Sequence, residues 1–356
     1  MKIDESINFE LKGKIYNIKK LSVLQNFKKE DLKKKPYYHL VIQDCLDQDI
    51  YDHLEKNYPS DENIFYEEMK YKTNLKMEFY NSELNRKNIK NKEEIKRLLN
   101  EQKNIMNKIL NKKLNMKSNI RYELPSINKD KYDFLDPIWK LFIDYHNSKL
   151  FIEEIKNVFG NKFTNFYNIK YKIDKNKNLK SFNDLSIGVR KKNIKKQETD
   201  FVTDVQIGIN SPCINDSCVR GPHIDDFNEV YAGLLYFKRD NEECLGGNLK
   251  IFDTLNEYNN LNEYQKGINL LENGIIERHG STFRRKNEFN RKDLKLIDEI
   301  KYNKNVFVLF INDINAIHGI SIRKKSNVSR RLVNIIGECY IEDNNIKKLK
   351  APIWFK

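Results

Sequence analysis

Hydrophobic and polar positions change their period near the middle of this chain. Up to Gly160 apolar residues recur every three or four places, as on one helical face. Beyond it they come in short β-prone runs. YYHLVIQDCL (37–46) predicts a strand, and LDQDIYDHLEKNYPS (46–60) a helix, with Leu46, Ile50 and Leu54 on one face and Pro59-Ser60 closing it. The strongly charged stretch 83–117 keeps a stripe of Ile95, Leu98, Leu99, Ile105, Met106, Ile109 and Leu110, which predicts one long surface helix. Residues 138–160 predict two short helices, the second stopped by Gly160.

After Gly160 the predicted strands are FTNFYNIKYKI, VTDVQIGIN, YAGLLYF, NLKIFD, NVFVLFI and RRLVNIIGECY, separated by turn-rich segments such as SPCINDSCVRGP and LGG. Short strands behind a helical third imply a β-sandwich or barrel backed by helices. KDLKLIDEIKY carries a helical pattern, so 253–304 is expected to be an insertion over one barrel end. The division that follows is 1–160, a strand and helix region with a charged helical insertion at about 61–135, and 161–356, the β domain.

Composition narrows the class. Hydrophobic residues make up 39% of the 356, but 20 Phe and 19 Tyr supply an aromatic core, so general disorder is excluded. The net charge of +14 invites a nucleic-acid reading. Its Lys is dispersed, however, and no zinc finger, RNA-recognition signature or base-reading basic helix accompanies it. The expectation is no specific nucleic-acid partner. Five cysteines without a C-x-x-C pair argue against a disulfide framework and fit a reducing compartment. No run has the length of a membrane span or a signal h-region, so the chain reads as cytoplasmic with no membrane partner.

His223-Ile224-Asp225 places an imidazole and a carboxylate on one side of an extended segment. Two His and one carboxylate suit a facial metal site with open positions. An apolar strand running into Ala316-Ile317-His318-Gly319 offers the second His, which only a folded sheet could bring to the first. Ligand atoms meeting at one ion should lie near 3 Å apart, given bonds of roughly 2.0–2.2 Å. His53-Leu54-Glu55 has the same spacing but sits on a helix with nothing to complete it. Asp226 is a competing carboxylate, although alternation points it away from the His223 side. Gly246-Gly247 reads as a structural turn rather than a phosphate cradle, because no helix start follows.

The order H-x-D, a GG-x-L strand, an apolar strand into His-Gly and a basic residue on the last strand resembles the 2-oxoglutarate/Fe(II)-dependent oxygenase superfamily, in its prolyl-hydroxylase-like branch. The resemblance covers about 36–60 and 200–340. It implies a double-stranded β-helix (jelly-roll) barrel, mostly β and backed by the N-terminal helices. It also implies Fe(II) on His223, Asp225 and His318, with 2-oxoglutarate and O2 as co-substrates. A last-strand arginine would grip the distal carboxylate of 2-oxoglutarate. Asp225 favours hydroxylation, since family halogenases lack this carboxylate. The two candidates, Arg330 and Arg331, lie slightly beyond the family's spacing from the distal His. Alternation puts Arg330 with Leu332, Asn334 and Ile336, and Arg331 with the apolar Val333 and Ile335, which favours Arg330. Tyr236, Gln206 and Asn334 are candidates for hydrogen bonds to the co-substrate, and Arg220 for an acidic substrate group or a surface carboxylate. A protein side chain, an amino acid or a sugar all remain open as substrate. The alternatives are a cupin-like metal-binding barrel without oxygenase activity, which the H-x-D pattern disfavours, and a basic nucleic-acid-associated protein.

Overall fold

A computed structural model describes residues 3–86, 91–163, 185–191, 199–225, 229–240, 242–243, 245–254, 294–312 and 316–339. In chain order its elements are β1 (Asn8–Leu11), β2 (Lys14–Asn17), β3 (Leu32–Lys33), β4 (His39–Ile42), α1 (Gln48–Lys56), α2 (Asp61–Leu84), α3 (Lys92–Leu110), β5 (Arg121–Leu124), α4 (Pro137–His146), α5 (Lys149–Phe159), β6 (Ile187–Val189), β7 (Phe201–Asn210), β8 (Glu229–Tyr236), β9 (Leu249–Thr254), β10 (Leu294–Ile300), β11 (Val306–Ile311), β12 (His318–Ile320) and β13 (Arg330–Glu338). The architecture is mostly β with helices. One sheet runs β3-β4-β11-β8-β13-β7-β5 with β6 on the β7 edge, and a second runs β10-β9-β12. Pairing is antiparallel except between β6 and β7. Among the described residues the strands do not close into a barrel.

Strand β7 explains how the large sheet is used. All ten of its residues are buried. Val205, Ile207 and Ile209 join the core formed with Trp139 and Phe142 of α4 and Phe151 and Ile155 of α5. The alternate positions, Asp204, Gln206 and Asn210, are polar and face the other way. Strand β13 repeats the pattern: Val333 and Ile335 join the helix-side core, whereas Leu332 joins a second cluster with Tyr236, Val308 and Phe310 of the large sheet and Leu249, Ile251 and Ile300 of the small one. The two sheets therefore face each other across that cluster. A strand buried on both faces yet polar on one marks that face as a site lining, because buried polar groups need partners.

The helices differ from the pattern in instructive ways. Ser60 does not close α1, which ends at Lys56; its side chain accepts the Asn63 amide at 3.1 Å and so starts α2. The helix expected over 83–117 is found as the shorter α3, with Asn91 in the left-handed conformation (φ 75) ahead of it, and a separate helix, α2, precedes it and ends at Leu84. Helices α2 and α3 pack together, and the same region carries β5, paired to β7, so 61–135 is not helical throughout. The two short helices expected over 138–160 are α4, capped by Asp136 with Pro137 behind it, and α5, stopped at Gly160 (φ 54). KDLKLIDEIKY, expected as helix, contributes β10, which pairs with β9 through an irregular register at Leu296/Asp298. Available edge hydrogen bonds on β9 override its local helical preference. Most of FTNFYNIKYKI, most of the 253–304 insertion, and Asp226 lie outside the described residues. No described helix is long and apolar enough to cross a membrane.

Candidate metal centre

His223 and His318 are held as a backbone pair. The His223 amide donates to the His318 carbonyl at 2.8 Å, and the His318 amide donates back at 3.0 Å. Such a close approach needs Gly319: a Cβ there would lie 2.9 Å from the Pro222 nitrogen. Alternation turns Ile224 and Ile317 outward into a small apolar cluster with Leu294, leaving His223, Asp225 and His318 on the inner side. His223 Nε2 lies 3.3 Å from Asp225 Oδ1, and His318 Nε2 lies 3.4 Å from Asp225 Oδ2. One ligand atom from each of the three falls within 4.8 Å of the others. Among the described residues this is the group so arranged; the helical His53 instead sits 3.0 Å from Asp136 Oδ1.

Protonation follows from the partners. His223 Nδ1 is 2.7 Å from the Gly221 carbonyl, and His318 Nδ1 is 2.9 Å from the Ala316 carbonyl. A carbonyl only accepts, so each Nδ1 carries the proton and each Nε2 is left to face the shared point. Burial, reinforced by the neighbouring His318, pushes His223 down to about 3, so its imidazole is neutral at pH 7 and its Nε2 is a lone pair. That nitrogen is buried and makes no hydrogen bond. Burial alone would raise the Asp225 carboxyl; the neighbouring His318 and the Arg220 guanidinium outweigh it and hold it well below the usual carboxylate range. Two imidazole nitrogens and a carboxylate facing one buried point suit a cation, so the residues fit a divalent metal ion. Arg220 donates to Asp225 Oδ1 at 2.8 Å, the kind of outer partner that fixes a ligating carboxylate.

On the inner face of the large sheet, Asn334 Nδ2 donates to Gln206 Oε1 (3.1 Å) and to Glu123 Oε1 (2.7 Å), and Gln206 donates to Asp204 at 2.8 Å. Tyr236 lies on the same face, its hydroxyl pushed up to about 12 by burial. Arg330 is 3% exposed. It donates to the carbonyls of Gly247 (2.7 Å) and Gly246 (2.5 Å), covers the Tyr302 ring at 4.3 Å, and lies 3.6 Å from Glu242. Arg331 points to the helix side, 4.9 Å over the Tyr58 ring, with a 3.3 Å bond to the Glu55 carbonyl. Sequence reasoning passed over Arg121, which joins the inner face through bonds of 3.2 Å to both Asn210 Oδ1 and Asn334 Oδ1. Its signal was the alternation in Arg121-Tyr122-Glu123-Leu124, whose Tyr and Leu are buried in the helix-side core.

No protein-family model and no curated protein sequence matches the chain. Among solved structures it is similar to a Pseudomonas putida prolyl-4-hydroxylase, at 10% identity over 39% of this chain and 52% of that one, with a TM-score of 0.21. It is also similar to a structure of prolyl 4-hydroxylases from Phytophthora capsici, at 11% identity over 90% of this chain and 64% of that one, with a TM-score of 0.35. The chain thus spans less than two thirds of both structures. Both overlaps are loose.

Proposed function

We propose that this chain is an Fe(II)- and 2-oxoglutarate-dependent oxygenase working as a hydroxylase, built on a double-stranded β-helix. The observation that carries the reading is the convergence of two Nδ1-anchored imidazoles and one carboxylate on a single buried point. That donor set, with positions left open, is the one non-haem Fe(II) oxygenases use. Two facing sheets with helices behind the larger one are compatible with the jelly-roll. When bound, iron and 2-oxoglutarate would supply the oxidising chemistry.

The chain's own residues have separable tasks. His223, Asp225 and His318 would hold the metal, and Arg220 would keep the Asp225 carboxylate oriented. Phe310, whose ring centroid is 4.4 Å from that of His318, would help keep water from that side of the site. Tyr236, Gln206 and Asn334 offer hydrogen bonds along the inner face. Arg330 fits the role of co-substrate anchor poorly, because both terminal nitrogens already serve backbone carbonyls. The substrate would be a protein side chain, an amino acid or a sugar carrying the carbon to be hydroxylated. Incubation with Fe(II), 2-oxoglutarate and O2 against such a panel should release succinate, most with the true substrate. A metal-loaded chain that forms no succinate with or without any of them would sink this reading.

A further inference from the structure

Building on the oxygenase reading, we propose that Arg121 on β5, rather than either arginine of β13, binds the distal carboxylate of 2-oxoglutarate. Strand register carries the case. Arg121, Asn210 and Arg330 are paired across β5, β7 and β13, so their Cα atoms share one row of the inner face. Phe310, Ala232, Ile336 and Asp204 form another row, and the contact of Phe310 with His318 puts that row beside the metal ligands. Six residue-to-residue steps along β13 lead from Arg330 to Ile336, roughly 20 Å at about 3.4 Å per step.

Starting from that distant row, the two guanidinium groups go in different directions. Arg330 turns to the Gly246-Gly247 carbonyls. Those glycines precede β9, whose Ile251 is the residue registered with His318, so the turn lies several residues away from the ligands. Arg121 instead reaches back to Asn334 Oδ1. Asn334 is one inward-facing position from Ile336, so the row it occupies is only about 7 Å from the row beside the ligands. An extended five-carbon dicarboxylate chelating a metal at one end would span such a gap.

Charge and access agree. The hydrogen-bond acceptors of Arg121 are the amide oxygens of Asn210 and Asn334. Its carboxylate neighbour, Glu123, is 3.9 Å away and already accepts from Asn334. Arg121 keeps 28% of its side chain accessible, against 3% for Arg330. A positioned guanidinium with a modestly compensated charge suits bidentate capture of a carboxylate.

The test is calorimetric titration of 2-oxoglutarate into the anaerobic, Mn(II)-loaded full chain. The proteins are wild type, Arg121→Ala, Arg121→Gln and the double variant Arg330→Ala/Glu242→Gln. 2-Oxopentanoate, the same chain without the distal carboxylate, is titrated in parallel. Both Arg121 variants should weaken 2-oxoglutarate by at least about 30-fold, the low end of what losing one partner of a buried charge pair costs. Binding of 2-oxopentanoate should not change, and the Arg330 double variant should keep near wild-type affinity for both. Arg121→Gln retains a donor for Asn334, so it serves if the alanine variant does not fold. The proposal is overturned if Arg121→Gln binds 2-oxoglutarate like wild type, if it weakens both ligands equally, or if the loss falls on the Arg330 variant. Wild type that binds Mn(II) but neither oxo acid would overturn the oxygenase reading as well, an outcome distinct from a misplaced anchor.

Discussion

Removing Arg330 should cost the chain stability through Glu242. The Glu242 side chain is fully shielded from solvent, and Arg330 Nε lies 3.6 Å from its Oε1. Burial raises the Glu242 carboxyl, and Arg330 is the largest influence opposing that rise. The other Glu242 contacts are weaker: the Tyr302 hydroxyl donates to Oε2 at 3.2 Å and the Arg239 amide at 3.5 Å. Arg330→Ala would strand the carboxylate, release the two carbonyls of the glycine turn and empty the face of Tyr302. Breaking one side of a buried pair costs about 3–5 kcal/mol, whereas replacing both sides by neutral groups is far cheaper. Urea denaturation of wild type, Arg330→Ala, Glu242→Gln and the double variant forms a closed cycle. The expected coupling is at least about 1.5 kcal/mol, with the double variant more stable than Arg330→Ala alone. Effects that add to within about 0.5 kcal/mol would refute the pairing and restore Arg330 as a candidate for ligand binding.

Two further expectations concern acid and the glycine turn. His146 is fully buried, its Nδ1 donating to the Phe142 carbonyl at 2.8 Å and its Nε2 accepting from the Val23 amide at 3.3 Å; burial pushes it down to about 3. The unfolded chain therefore binds the extra proton below about pH 6.5, so the stability from neutral His146 is complete above that pH and is lost as pH falls toward 3. At pH 5 the loss should be about 2 kcal/mol, and His146→Gln should flatten this part of the stability profile; an unchanged slope would count against it. Gly246 has φ +69, and a Cβ there would lie 1.9 Å from the Ile322 carbonyl oxygen, so Gly246→Ala should lower stability by more than about 1 kcal/mol in the same denaturation assay. A neutral effect would mean the turn relaxes freely.

What could be read from the sequence depended on whether a local pattern had one physical cause. Alternation in β13 separated Arg330 from Arg331 correctly by face, because a slip by one residue would carry Asn334 into the helix-side core and move Val333 and Ile335 onto the polar inner face. It could not say where along the face each guanidinium would turn, since that depends on the carbonyls of Gly246 and Gly247, distant in sequence. His223-Ile-Asp225 and His318 were legible as a pattern; their meeting required the backbone pair between them. Arg121 was hidden by its neighbourhood, a charged helical stretch whose periodicity masked a four-residue strand. The strand β10 was misread because Leu294, Ile297 and Ile300 also fit a helical spacing, and the edge of β9 decided the outcome.

The central claim is that His223, Asp225 and His318 form one metal site. Anaerobic titration of Fe(II) into the full chain tests it directly. Wild type and His53→Ala should each bind one ion per chain, and His223→Ala, Asp225→Ala and His318→Ala should each lose at least about 100-fold in affinity, more than changes in outer partners typically cost. Wild-type affinity in any of the three ligand variants, or no binding by the wild-type chain, would contradict the account.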